Sequence, residues 1–226
     1  MEEIRDTRQT GCVIVGGGPA GLMLSLLLAR QGVDVTLLEA HKDFDRDFRG
    51  DTVHASTLEI LDQIGLADQA LAIPHGKVDR LRVVTPEGEY TLIDLRGLRT
   101  RFPYVAMLPQ ARFLDFLAEQ CKRFPNFRLV LGANVQRLVQ EGDAVRGVRY
   151  RGEDDGWHEV RAPLTVAADG RFSKVRSLAG LEPEKMAPPM DIVWFRLPRR
   201  PGDPKDSGAF YIHGGHFAVM LERPEE

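Results

Sequence analysis

The stretch Val13–Ala40, VIVGGGPAGLMLSLLLARQGVDVTLLEA, sets Gly16, Gly18 and Gly21 in the spacing G-x-G-x-x-G, with Glu39 near its end. Those residue types at those positions suit a dinucleotide. The first glycine permits a tight turn, the second lets backbone approach a pyrophosphate, and the third lets helix and strand pack closely. Pro19 and Ala20 open the helix that follows, whose N-terminus offers unpaired N–H groups and a positive dipole end to phosphate. Glu39, followed by Ala40, closes the next strand. There a carboxylate can accept both hydroxyl protons of an adenosine ribose, about 1.5–3 kcal/mol for each charge-assisted bond. A glycine-rich turn that binds nothing has no need of strand, helix, second strand and terminal acid in register, and this context is what identifies the motif. The loop does not separate NAD from FAD, since both carry ADP, but Glu39 would repel a ribose 2′-phosphate and so disfavours NADP in this pocket.

Three later segments carry further polar candidates. Arg49 lies in DFRGDTVHASTLEIL, just before a helix; a guanidinium there can pair with phosphate oxygens and stays charged, although a surface loop arginine looks the same. Gln110, in LPQARFLDFLAEQC, is by itself a polar residue at a helix start. Asp169-Gly170, in VAADGRFSKVR, follows an apolar strand, so the aspartate can reach a bound cofactor while the glycine permits close approach. Ser173 serves equally well as a helix cap, and Arg176 as an ordinary exposed helix residue. His213 and His216 flank two glycines that read as a hairpin turn, and with no third ligand a metal site is not expected. None of these motifs supplies a catalytic acid or base, so catalytic residues stay unassigned.

The elements that must hold these residues follow from pattern. The first 40 residues read β-α-β: CVIV and VDVTLL are β-branched runs, Ala20–Gln31 is a helix, and near-continuous apolar strands suit a parallel sheet covered on both faces. STLEILDQIGL is a second helix, with Ser56 and Glu59 at capping-box spacing and Gly65 as its stop. KVDRLRVVTPEGEYTLIDL reads as a hairpin around Pro86–Gly88. ARFLDFLAEQCKRF is a helix with Phe113, Leu114, Leu117 and Cys121 inward, ended by Pro125. From Phe127 to Ala168 the pattern is β throughout, then a short helix runs from Ser173 to about Gly180. The proline-bearing LEPEKMAPPM reads as a crossing between domains, and DIVWFRL and GAFYIHGGHFAVMLE read as new strands.

The 226 residues carry 30 Lys plus Arg against 33 Asp plus Glu, a net charge of −3. That balance argues against a nucleic-acid binder. Two distant cysteines, Cys12 and Cys121, argue against a disulfide scaffold or zinc site. The polar N-terminus lacks a signal-peptide core, and Leu22–Leu28 is too short to span a bilayer. A cytoplasmic protein without membrane association is the expectation.

The glycine loop with Glu39, Arg49, Gln110 and the D-G-x-x-S-x-x-R run at Asp169–Arg176 together resemble the single-component flavin-dependent aromatic hydroxylases typified by para-hydroxybenzoate hydroxylase. The resemblance implies an α/β fold: a Rossmann-like FAD-binding domain with parallel sheet and β-meander (1–75 and 103–180), plus an incomplete β-rich substrate domain (76–102 and 181–226). It implies FAD as cofactor, held by Gly16, Gly18, Pro19, Ala20, Gly21, Glu39, Ala40, Arg49, Gln110 and Asp169. Arg49 would lie beside the FAD pyrophosphate and help receive the nicotinamide, Gln110 would bond the ribityl or phosphate region, and Asp169-Gly170 would serve both cofactors. NADPH or NADH would act as transient reductant, O2 as oxidant and an aromatic small molecule as substrate. The family's second fingerprint, Gly-Asp followed by Ala-His, proline and a glycine-rich helix start, is not found; EGDAV at Glu141–Val145 lacks the remainder. The expectation is therefore an N-terminal portion of a longer monooxygenase, with a homo-oligomer or complementing chain as another way to complete it. An FAD-dependent dehydrogenase, reductase or halogenase, and a catalytically inactive flavin-binding fragment, are the alternatives.

Overall fold

A computed structural model describes residues 3–45, 50–184, 186, 192–198, 200 and 208–221. In chain order the elements begin with β1 (Ile4–Gln9), β2 (Cys12–Val15), α1 (Pro19–Arg30), β3 (Val35–Leu38), β4 (Thr52–Val53), α2 (Ala55–Gln63) and α3 (Ala67–Leu71). Next come β5 (Gly76–Val78), β6 (Arg80–Thr85), β7 (Gly88–Asp94), β8 (Val105–Met107) and α4 (Gln110–Lys122). They end with β9 (Phe127–Val130), β10 (Asn134–Glu141), β11 (Ala144–Arg151), β12 (Trp157–Arg161), β13 (Leu164–Ala167), α5 (Lys174–Leu178), β14 (Gly208–His213) and β15 (His216–Leu221). The chain forms two compact units, 1–45 with 114–187 and 46–113 with 188–226.

The first unit is built on a parallel sheet in the order β13-β2-β3-β9. All four residues of β2 and of β3 are buried, as strands covered on both faces require. One cover is α1, whose Gly21, Leu22, Ser25, Leu26 and Ala29 recur at helical spacing and are buried. The other is a second sheet, β1-β12-β11-β10. Between the two sheets Val13, Val15 and Leu38 pack with Val135, Val148, Tyr150 and Val160 in one core cluster. The α4 residues expected to face inward, Leu114, Leu117 and Cys121, are buried in this unit. Burial pushes the Cys121 thiol up to about 12, leaving it an inert core side chain.

The second unit holds the sheet β15-β14-β6-β7 and a smaller one, β4-β8-β5. The hairpin expected around Pro86–Gly88 is present. The turn between β14 and β15 places Gly214 and Gly215 at φ +55° and +78°, the pair of positive values that a two-residue turn between twisted strands demands.

Three sequence expectations are corrected. The polar N-terminal segment is a strand: β1 pairs in parallel with β12 through backbone bonds, with mostly exposed side chains that leave no apolar alternation to read. The capping box at Ser56 and Glu59 does not form, because α2 starts one residue earlier with His54 at its N-cap and Ser56 inside the first turn. The run DIVWFRL is no strand over its described part, 192–197; β-propensity needs a sheet edge to pair with, and local apolarity does not supply one.

Candidate functional site

Strand β2 ends at Val15, and Gly16 turns the chain sharply, with φ +107°. A Cβ on Gly16 would come 2.4 Å from the carbonyl oxygen of Ala168 and 2.8 Å from Cα of Asp169, so only glycine fits beside the end of β13. A Cβ on Gly21 would lie 1.9 Å from the carbonyl oxygen of Gly16; this close approach seats the first turn of α1 on the loop. At Gly18, by contrast, a Cβ would meet nothing within 4 Å. Gly18 is also the N-cap of α1 and makes no side-chain capping bond, with Pro19 in the first turn. A helix start without a cap, fronted by open space at a glycine, offers its first N–H groups to an anion. That cradle fits a pyrophosphate.

Glu39 lies under the same loop. Its Oε2 accepts the Gly17 amide at 2.6 Å, while its Oε1 accepts the His41 amide at 3.0 Å and faces His41 Nδ1 at 2.6 Å. The Glu39 side chain is 4% exposed and that of His41 is 62% exposed. Gly17 is glycine for a steric reason: a Cβ there would meet Glu39 Oε2 at 2.9 Å and the Phe44 ring at 3.1 Å. The segment after Glu39 is tied down by buried Phe44 and by the Gly132 amide, which donates to the His41 carbonyl at 2.9 Å. A buried carboxylate at a strand end, one step from the phosphate cradle, fits the ribose of the same dinucleotide. His41 and Phe44 were not legible as partners, because their role comes from a turn that carries no motif.

Asp169 follows β13 and sits beside Gly16, as above. Both of its carboxylate oxygens serve α5: Oδ1 accepts the Ser173 hydroxyl at 2.5 Å and Oδ2 accepts the Val175 amide at 3.0 Å. Ser173 is the N-cap of α5, its Oγ accepting the Arg176 amide at 3.0 Å. Gly170, at φ +77°, leaves open space where a Cβ would be. A cavity of about 420 Å³ opens alongside, lined in part by Thr165, Asp169, Gly170, Ser173 and Arg176. Thr165 and Arg176 each keep one buried polar atom without a hydrogen-bond partner there.

Gln110 belongs to the second unit, at the first position of α4. Its amide donates to Asp51 Oδ1 at 3.0 Å, and its side-chain nitrogen donates to the Gly50 carbonyl at 3.4 Å. Gly50 has φ +94°, and a Cβ on it would meet the Gln110 side chain at 2.5 Å. Arg49 lies outside the described residues. His213 and His216 are cross-strand partners at a hairpin end, and among the described residues no group of side chains could hold a metal. No helix among the described residues is long and apolar enough to cross a membrane.

Comparison with known proteins places this geometry among flavoproteins. A model of the FAD binding domain family matches residues 9–224. The 6-methylpretetramide 4-monooxygenase of Streptomyces rimosus is 38% identical over 195 residues, covering 85% of this chain and 46% of that protein. Among solved structures, the anhydrotetracycline hydroxylase of Streptomyces rimosus superposes with a TM-score of 0.69 at 31% identity, covering 80% of this chain and 35% of that one. The p-nitrophenol 4-monooxygenase of Pseudomonas putida superposes with a TM-score of 0.67 at 28% identity, covering 80% and 44%. The chain therefore spans less than half the length of each of these three proteins.

Proposed function

The chain belongs to the FAD-binding domain family of flavin-dependent aromatic monooxygenases, and from that membership we propose that it is the flavin-holding part of an enzyme that hydroxylates an aromatic small molecule. FAD is the cofactor of this family. When bound, it would supply the redox chemistry of the reaction, hydride acceptance from NADPH or NADH and activation of O2 towards an electron-rich ring. The reading rests on one observation above all. The uncapped α1 N-terminus, opened by Gly18, stands next to a buried carboxylate, Glu39, which follows β3 and accepts the Gly17 amide of the same loop.

In this proposal the chain's own residues divide the work of binding. The amides at the start of α1, with Gly16, Gly18, Pro19, Ala20 and Gly21, hold the pyrophosphate, and Glu39 with Ala40 holds the ribose. Gln110 and Arg49 act on the phosphate and ribityl side, and Asp169 orders the β13–α5 corner against Gly16. Arg49 also receives the nicotinamide. No residue here is assigned a proton-transfer role.

The substrate domain, 76–102 and 181–226, is proposed to receive the ring. Its sheet carries one apolar face: Val219, Phe210, Val83 and Tyr90 are successive cross-strand partners, and Ile212 pairs with Phe217 on the same face. Tyr90, Ile212, Phe217 and Val219 are all exposed. An exposed apolar face of that kind suits an aromatic substrate, which is proposed here to be a fused-ring phenol; one relative is named a 6-methylpretetramide 4-monooxygenase. A cytoplasmic location, where NADPH and NADH are supplied, is part of this proposal.

The test is direct. The purified protein should carry FAD and consume O2 with NADPH or NADH faster when a fused-ring phenol is added, giving a hydroxylated product without any halide requirement. Flavin-loaded protein that gives no substrate-dependent O2 uptake would refute the monooxygenase reading.

A further inference from the structure

We propose that His41 is a stand-in for the adenosine ribose: its ring N–H occupies the Glu39 carboxylate in the free protein and must swing away when FAD binds. A carboxylate offers about four lone-pair sites. At least three of them are taken by groups of the chain itself, among them the Gly17 amide, the His41 amide and His41 Nδ1. A ribose offering two hydroxyls to the same carboxylate exceeds the sites that remain, so one of the present donors has to leave.

The three donors differ in how freely they can do so. Gly17 is fixed within the loop, since its amide is part of the turn that Gly16 forces and a Cβ on it would meet the Phe44 ring at 3.1 Å. The His41 amide is fixed by the backbone bond from Gly132 to the His41 carbonyl. Only the imidazole is on a rotatable side chain, and at 62% exposure it can turn into water at little packing cost. Its charged surroundings among the described residues are Glu39 just after β3, the following Lys42 and Asp43, and Glu153, which pairs with Lys42 at 3.6 Å. The contact satisfies part of the hydrogen-bonding capacity of a buried carboxylate. The same contact makes FAD compete with the chain's own side chain.

This inference rests on the reading of Glu39 as the ribose acceptor, and the experiment separates the two. Apoprotein is titrated with FAD, and in parallel with FMN, which lacks the adenosine, by flavin fluorescence. The variants are His41→Ala, His41→Phe, Glu39→Ala and the double variant Glu39→Ala/His41→Ala. Removing the competing donor should tighten FAD by about three- to tenfold, the fold-change of an ordinary hydrogen bond, because the exposure of the imidazole discounts the charge-assisted value. His41→Phe, which keeps the ring but not the N–H, should do the same, and FMN affinity should not move. On the Glu39→Ala background the His41 change should have no effect, the signature of a contact that acts only through Glu39. FAD affinity that is unchanged or weaker in both His41 variants, with Glu39→Ala still weakening it, overturns the stand-in and leaves the ribose reading intact. FAD affinity unchanged in Glu39→Ala overturns the ribose reading and the inference with it.

Discussion

Gly16 and Asp169, far apart in the chain, touch so closely that a single added Cβ on Gly16 would stand 2.8 Å from Cα of Asp169. The contact exists because β13 and β2 run side by side in parallel, with Ala167 opposite Val15. It joins the glycine loop to the corner that leads into α5, and several measurable consequences depend on it.

Gly16→Ala and Gly18→Ala should part company. At Gly16 the backbone has φ +107° and the new carbon meets the Ala168 carbonyl at 2.4 Å, so the variant should lose at least about 2 kcal/mol of stability and its flavin together. At Gly18 the backbone has φ −72° and the space is open, so that variant should fold normally and lose flavin affinity alone. Thermal melts and flavin titrations of both decide it. Equal loss of stability in the two would contradict the cradle.

Glu39→Ala should weaken FAD by about 1.5–3 kcal/mol for each charge-assisted bond lost. The Gly17 amide also loses its acceptor, so the loop should exchange its amide protons faster in the variant. An unchanged dissociation constant in a flavin titration would remove Glu39 from the site.

Asp169 and Ser173 act on α5 as one unit. Ser173→Ala removes an N-cap and should cost about 1 kcal/mol. Asp169→Ala removes bonds to the Ser173 hydroxyl and the Val175 amide and should cost about 2 kcal/mol. Because the side chains are bonded to each other, the double variant should cost less than the two single losses together. Strict additivity in urea denaturation would show two independent contacts instead.

His158 gives the first unit a pH-dependent tie. Its ring bonds Asp6 on β1 and stands 3.1 Å from Asp154 in the turn before β12, and it stacks on Tyr150 with centroids 5.1 Å apart. Desolvation pulls its pKa down, but the hydrogen bonds and charges of Asp6 and Asp154 outweigh this and raise it above 6.5. Asp154 in turn is held down to about 2, chiefly by the bond to His158, with the Gly156 amide and Arg5 adding to it. For a raised histidine the stabilisation is complete below its ordinary value and is lost as pH rises through the folded one. The stability gap between the wild type and His158→Gln should therefore be wider at pH 5.5 than at pH 8.5, as read by chemical denaturation. A constant gap across that range rules out the tie.

The β-α-β start, the phosphate turn and the acid at its end were legible from residue order, since each depends on contacts within a few residues or one helical repeat. The inward face of α4 was legible for the same reason: Leu114, Leu117 and Cys121 repeat at the helical period. Strand β1 was not, because its pairing with β12 is made by backbone and its side chains stay exposed. Nor was the failure of 192–197 to form a strand, which turns on pairing rather than on β-propensity. At the site, sequence alone determined the glycine spacing and the acid that follows β3, and from them the expectation of a dinucleotide. Tertiary structure decided that the Asp169 carboxylate is committed to α5, that the end of β13 fixes Gly16 as glycine, and that His41 lies on Glu39. The Gly16 relation comes from parallel strand neighbours that bring distant residues together; the other two are set by turn geometry over a few residues, which no helical or strand period records.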